Sequence, residues 1–91
     1  MKIERNLYDY KGKIFRHFKG DLYLLLDFAN HSETEEVLVI YKALYGECML
    51  SARPYAMFNE EVPRNKPNPT GQKYRFEYVK VESVKGEKLH E

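Results

Sequence analysis

Residues 14–29, IFRHFKGDLYLLLDFA, decide the fold. Ile14, Arg16 and Phe18 alternate with Phe15 and His17, the two-residue period of a strand. Lys19-Gly20-Asp21 follows, and glycine can take the positive φ that a tight reversal demands. Leu22 to Ala29 then reads as a second strand. It starts as an unbroken apolar run, Leu22 to Leu26, which suggests burial on both faces. Two strands joined so tightly form an antiparallel hairpin.

Outward from this hairpin the same grammar repeats. Asn30-His31-Ser32-Glu33-Thr34 is a turn of residues that bond their own backbone. Glu36 to Ala43 is a third strand, with Val37, Val39 and Tyr41 on one face and Leu38, Ile40 and Lys42 on the other. Tyr45-Gly46-Glu47 reverses the chain into a fourth strand, Met49 to Arg53, stopped by Pro54, which has no N–H to donate. Tyr55 to Glu61 reads as a single helical turn. Residues 63–72, rich in Pro, Gly and Asn, read as a flexible loop. Tyr74, Phe76 and Tyr78 alternate as a fifth strand, expected to continue to Val84 with a bulge at Tyr78-Val79. Before the hairpin, Ile3, Leu7 and Tyr10 are spaced as a helical face, but ten residues are too few to sustain one, so 1–10 reads as a loosely packed arm. Residues 11–85 form the domain and 86–91 a disordered tail.

The expected fold is therefore all-β: a small SH3-like barrel of about five antiparallel strands with one short helical turn. Closing the sheet would remove its edges and bury one face. The competing architecture is an open α+β roll whose arm is a true helix. The 91 residues suffice for one domain, and a chain of this size buries only about 60–65% of its unfolded surface. Eight Tyr and five Phe, with no Trp, suit a thin core with a wide rim, since tyrosine buries its ring and keeps its hydroxyl at the edge.

Charge and cysteine content narrow the function. Fifteen Lys and Arg against fourteen Asp and Glu leave a net charge of +1, so no global field draws in a polyanion or an anionic membrane. One cysteine, Cys48, excludes an internal disulfide framework and favours a reducing, cytoplasmic setting. The charged stretch from Met1 to Lys13 is neither a signal peptide nor an anchor. Leu22 to Leu26 is far too short to span a bilayer.

Several blocks carry a family resemblance: His17-Phe18-Lys19-Gly20, His31-Ser32-Glu33-Thr34, Val39 and Tyr41 leading to Ala43-Leu44-Tyr45-Gly46, and Arg53-Pro54 with Met57-Phe58. In this order they resemble a bacterial family catalogued as domain of unknown function 1653, over Ile14 to Val62 and again at Tyr74–Val79. The resemblance implies an SH3-like barrel and no assigned activity. The loop 63–72 is longer and richer in proline than the family pattern, and the extension from Val81 is unusual.

No catalytic, metal or cofactor constellation emerges. His17, His31 and Cys48 lack the paired spacing of metal ligands. Cys48, beside Met49 and Leu50, reads as a small packing residue rather than a nucleophile. The five glycines are scattered turn residues, not a phosphate loop. What remains is a set of polar residues inside the blocks, Ser32 and Thr34 among them, from which the candidate ligand-binding residues are His17, Lys19, His31, Glu33, Tyr41, Tyr45 and Arg53. Arg53 is the least explained by packing, and a charge so near a core calls for a partner such as Glu33 or Asp27. The leading reading is a non-catalytic binding module for a peptide or small anionic ligand, with a groove of Tyr41, Tyr45, Tyr55 and Phe58. Nucleic-acid binding through Lys11, Lys13, Arg16 and Lys19 is a less favoured alternative, and a small-molecule enzyme using His17, His31 and Arg53 is another.

Overall fold

Lys19-Gly20-Asp21 reverses the chain as its residues require. Gly20 holds φ +118 and donates its N–H to the His17 carbonyl at 2.7 Å, a backbone state that a side chain would strain. On either side lie β1 (Ile14–His17) and β2 (Leu22–Asn30), paired antiparallel. β2 pairs with β3 (Val37–Ala43), and β3 with β4 (Leu50–Pro54). A one-turn helix, α1 (Tyr55–Phe58), follows, and β5 (Phe76–Val79) returns to lie antiparallel to β1. The order across the single sheet is β4-β3-β2-β1-β5. The structure, a computed structural model, describes residues 5–84. Ile3 and the tail 86–91 lie outside the described residues.

The apolar run in β2 does not bury both faces. The β2–β3 register shifts between Leu25 and Asp27, so Leu26 is an extra residue. Tyr23 and Leu25 face the core before the bulge and Phe28 packs against it afterwards, a change of phase that one extra residue produces. Of Leu22 to Leu26, Leu25 alone is fully buried. The bulge expected at Tyr78-Val79 is absent. β5 stops at Val79, and Val81 and Val84 are exposed.

The expected barrel is not closed by its backbone. β4 and β5 are opposite edges of the sheet and are not hydrogen-bonded to each other. Pro54 ends β4, and α1 lifts the chain away before it can reach β5. Side chains fill the gap. Phe58 of α1 stacks on Phe76 of β5, with centroids 4.1 Å apart and planes 3° from parallel. Beyond α1, the Arg75 N–H donates to the Glu60 carbonyl and the Val62 N–H to that of Lys73, both at 2.9 Å. The chain ahead of β5 is thus tied to the chain behind α1.

The core comprises Leu7, Phe15, Leu25, Val39, Tyr41, Phe58 and Phe76. Leu7 corrects the loose arm expected from sequence. Asn6 caps a 3₁₀ turn over Leu7–Tyr10 by accepting the Tyr8 N–H, and this turn drives Leu7 inward. The Leu7 N–H donates to the Tyr55 hydroxyl at 2.8 Å. Arg5 lays its guanidinium 3.9 Å from the Tyr74 ring centroid and donates to Asn59 Oδ1 and the Phe76 carbonyl. The loop 63–72 is also tethered, since Thr70 Oγ1 donates to the Phe18 carbonyl and Gln72 Nε2 to that of Arg16.

Residues 5–10 of the arm are therefore part of the fold, and Leu7→Ala should cost about 2–5 kcal/mol in urea unfolding. A loss of a few tenths would mean that the arm contributes nothing to the core.

Candidate functional site

The gap between β4 and β5 is where the unexplained polar residues meet. Arg53 lies opposite Val39 in the β3–β4 ladder, and residues opposite each other share a face. Val39 is buried, so Arg53 projects on the core side of an edge strand. Its Nε–H donates to the Tyr41 hydroxyl at 3.3 Å, and its guanidinium carbon lies 5.8 Å from the Phe76 ring centroid. Asp27 is held by Lys11 at 3.1 Å, Glu33 sits in the β2–β3 turn, and among the described residues no carboxylate pairs with Arg53.

Tyr23 on β2 joins the cluster together. Its ring centroid is 5.5 Å from that of Tyr41, 5.6 Å from Tyr45, 5.6 Å from Phe76 and 6.2 Å from His17. Its hydroxyl lies 2.7 Å from the Tyr45 hydroxyl. Burial, and next that hydrogen bond, push the Tyr23 phenol above its ordinary pKa, so it stays protonated.

His17 closes the β1 side of the gap, 5.0 Å from the Phe76 ring. Its Nδ1 accepts the Lys19 N–H at 3.1 Å, which leaves the proton on Nε2. Burial first, then the positive charges of Arg75, Arg53 and Lys19, lower its pKa to about 4. The imidazole is neutral at pH 7. The same charges make the local field positive, although Arg75 is partly offset by Glu60 at 2.8 Å.

Of the seven residues singled out from sequence, His17, Tyr41, Tyr45 and Arg53 converge, and Lys19 borders His17. His31 and Glu33 do not join them. Arg16, next to His17, pairs with Leu22 at the start of β2, whereas His31 follows Asn30 at its far end. His31 Nδ1 accepts the N–H groups of Glu33 and Thr34 at 3.2 and 3.3 Å, so it locks its own turn. This separates the residues of the enzyme reading.

The four-ring groove does not form either. Phe58 is fully buried, and Tyr41 is only 6% exposed, a core ring with its hydroxyl at the rim. Tyr55 turns toward the arm, its ring 5.3 Å from Tyr8 and 6.2 Å from Phe28. Sequence reasoning missed Tyr23 and Phe76. Tyr23 was accessible to it, being two residues before the core residue Leu25.

The basic stretch is not a bare cationic strip. Lys11 is bonded to Asp27, and Arg16 faces Glu77 across the β1–β5 ladder. The Phe28 N–H and then Lys11 hold the Asp27 carboxyl below its ordinary pKa. Cys48, expected to pack, is exposed at φ +55 in the β3–β4 turn, where its N–H donates to the Tyr45 carbonyl. Among the described residues, no three His, Cys, Asp or Glu gather as metal ligands.

Together these features define a small all-β domain, one five-stranded antiparallel sheet with a short helix and a polar, aromatic cluster on its unpaired side. The chain belongs to the family described as protein of unknown function (DUF1653), which it matches over residues 13–78. It is similar to a DUF1653 protein of Bordetella bronchiseptica whose crystal structure is known. The two are 35% identical, with a TM-score of 0.66, over 86% of this chain and 97% of that one. No curated protein matches the chain in sequence.

His17 provides a direct check of the site's electrostatics. Its folded pKa lies below the unfolded value, so the unfolded chain binds the extra proton between about pH 6.5 and 4. The stability due to this neutral histidine is full above that window and is lost as pH falls through it. Proton NMR should find the His17 ring titrating near 4, and His17→Gln should flatten the pH dependence of unfolding over the same range. A His17 midpoint near 6.5 would show that the cluster neither buries nor repels the imidazolium.

Proposed function

We propose that this domain is a non-catalytic binding module, an SH3-like roll that holds an anionic group of a peptide or small ligand at Arg53. One observation carries the reading. Arg53 is a half-buried guanidinium on the core side of its strand whose hydrogen-bond partner is a phenol rather than a carboxylate. A guanidinium presents five N–H donors in a planar fork matched to a carboxylate or phosphate, and Nε–H uses one of them. Tyr41 meets it directly, and Tyr23 and Tyr45 extend the ring cluster from Tyr41, amphipathic side chains of the kind enriched at binding sites. Lys19 and Arg75 add positive potential nearby.

The same observations weaken the alternatives. A histidine with a pKa near 4 is a poor general base at neutral pH. A basic stretch interleaved with Asp27 and Glu77 offers no continuous track for phosphates. Among the described residues no helix is long and apolar enough to cross a membrane, and a cytoplasmic role belongs to the proposal.

The test is an NMR titration with acetate and with inorganic phosphate, following Arg53 Nε–H, the His17 ring and the Tyr45 amide. These signals should move together along one isotherm, and Arg53→Gln should weaken binding about tenfold or more, the worth of a charged hydrogen bond. Unmoved signals at Arg53, or binding untouched by Arg53→Gln, would remove Arg53 as the anchor.

A further inference from the structure

β4 is an edge strand, and its free side has a definite hydrogen-bonding pattern. In an antiparallel ladder, opposed residues alternate between pairs that exchange both backbone bonds and pairs that exchange none. The Ala43 N–H donates to the Met49 carbonyl at 3.0 Å, which sets the phase of the β3–β4 ladder. Two residues along, Tyr41 opposite Ser51 and Val39 opposite Arg53 are bonded pairs. Leu50 and Ala52, opposite Lys42 and Ile40, therefore turn their N–H and C=O groups away from β3 toward the free edge. Pro54 has no N–H, so this edge offers two donors and ends there.

Natural edge strands are commonly guarded by charge, an inward lysine or cover from another element. Among the described residues, this one is unguarded over most of its length. Met49-Leu50-Ser51-Ala52 carries no charge, Leu50 through Ala52 are exposed, and Met49 and Leu50 are 65% and 62% exposed. Leu44 and Tyr45, in the turn leading into β4, are exposed as well. The only charge within β4 is Arg53, and it projects on the core side with no carboxylate partner among the described residues.

We propose that β4 is a docking edge for an extended peptide segment that adds as a sixth strand beside it and presents a carboxylate to Arg53. The inference rests on the reading of Arg53 given above and names the class of ligand. Backbone bonds to Leu50 and Ala52 supply sequence-independent affinity. The inner-face side chains of the added strand lie beside Ser51 and Arg53, and its outer-face side chains beside Leu50 and Ala52. An acidic residue on the inner face, or the C-terminal carboxylate, completes the charge pairing.

A library of random heptapeptides with free C-termini, selected against the whole chain, provides the probe. Peptides recovered from it should carry β-prone residues with an acid or an acidic end. They should slow hydrogen exchange at the Leu50 and Ala52 amides, which the ladder leaves unbonded to β3 and which should exchange freely in the protein alone. Amidating the C-terminus then distinguishes a terminal carboxylate from an acidic side chain. Ala52→Pro deletes an edge donor while leaving the β3 ladder bonds, and should lower peptide affinity about tenfold, the worth of one backbone bond. Acetate binding at Arg53 should stay within about twofold, because the deleted N–H points along the sheet while Arg53 projects on its inner face and keeps its own bonds to Val39. Should Ala52→Pro fail to fold, the exchange measurement on the unaltered protein decides by itself. The proposal is overturned if no selected peptide protects Leu50 and Ala52. It is equally overturned if those amides are already protected, in a concentration-dependent way, by pairing with a second copy of the chain. Peptide binding that survives Arg53→Gln while protecting the edge would keep the docking strand and refute the anion reading alone.

Discussion

Phe58 stacked on Phe76 is the contact on which the rest of the arrangement depends. The two rings lie nearly parallel at 4.1 Å, between sheet edges that share no backbone bond. Each ring also meets Tyr41, Phe58 at 5.3 Å and Phe76 at 5.5 Å. Area burial dominates the worth of such rings, and favourable ring geometry adds about 0.5–1.5 kcal/mol per pair. A sheet that had closed through β4–β5 hydrogen bonds would have sealed Arg53 inside a barrel interior. Closure through side chains leaves that arginine at an opening.

The opening shapes the chemistry of its residues. A charge facing Phe76 and Tyr41 makes poor use of solvent, and Arg53 retains donors that the described residues leave unused. His17, across the gap, responds in the opposite sense. Surrounded by Arg53, Arg75 and Lys19, it gives up its charge and becomes a neutral donor at Nε2. The two groups are complementary, because the cation is left to the residue that cannot lose its proton. On the proposed reading, an arriving negative charge would raise the His17 pKa toward its ordinary value.

Much of the fold was legible in local sequence. Gly20 between two alternating segments signals a hairpin, and Val37 to Ala43 alternates with the period of a strand. Pro54 stops β4, and the arginine before it stands out as a charge without an excuse. Misreadings arose where local rules allowed two outcomes. The run Leu22 to Leu26 satisfies a doubly buried strand and a bulged one alike, and the β3 register chooses the second. The histidines 17 and 31 look equivalent, each beside a turn, and each uses Nδ1 to accept a backbone N–H close by. One lies against aromatic rings and the other in a surface turn, because β2 places them at opposite ends.

By itself the sequence determined the strands, their turns and their antiparallel order, since periodicity, glycine φ and missing proline donors act over a few residues. It also marked Arg53 as a charge in need of an explanation. Only the tertiary structure decided how the sheet ends meet, that Leu7 and Arg5 belong to the core region, and that Tyr23 and Phe76 join Tyr41, Tyr45 and His17 around that arginine. These contacts span up to 71 residues, as between Arg5 and Phe76, and no local pattern encodes them. They depend on which faces find each other once α1 has turned the chain away from β5.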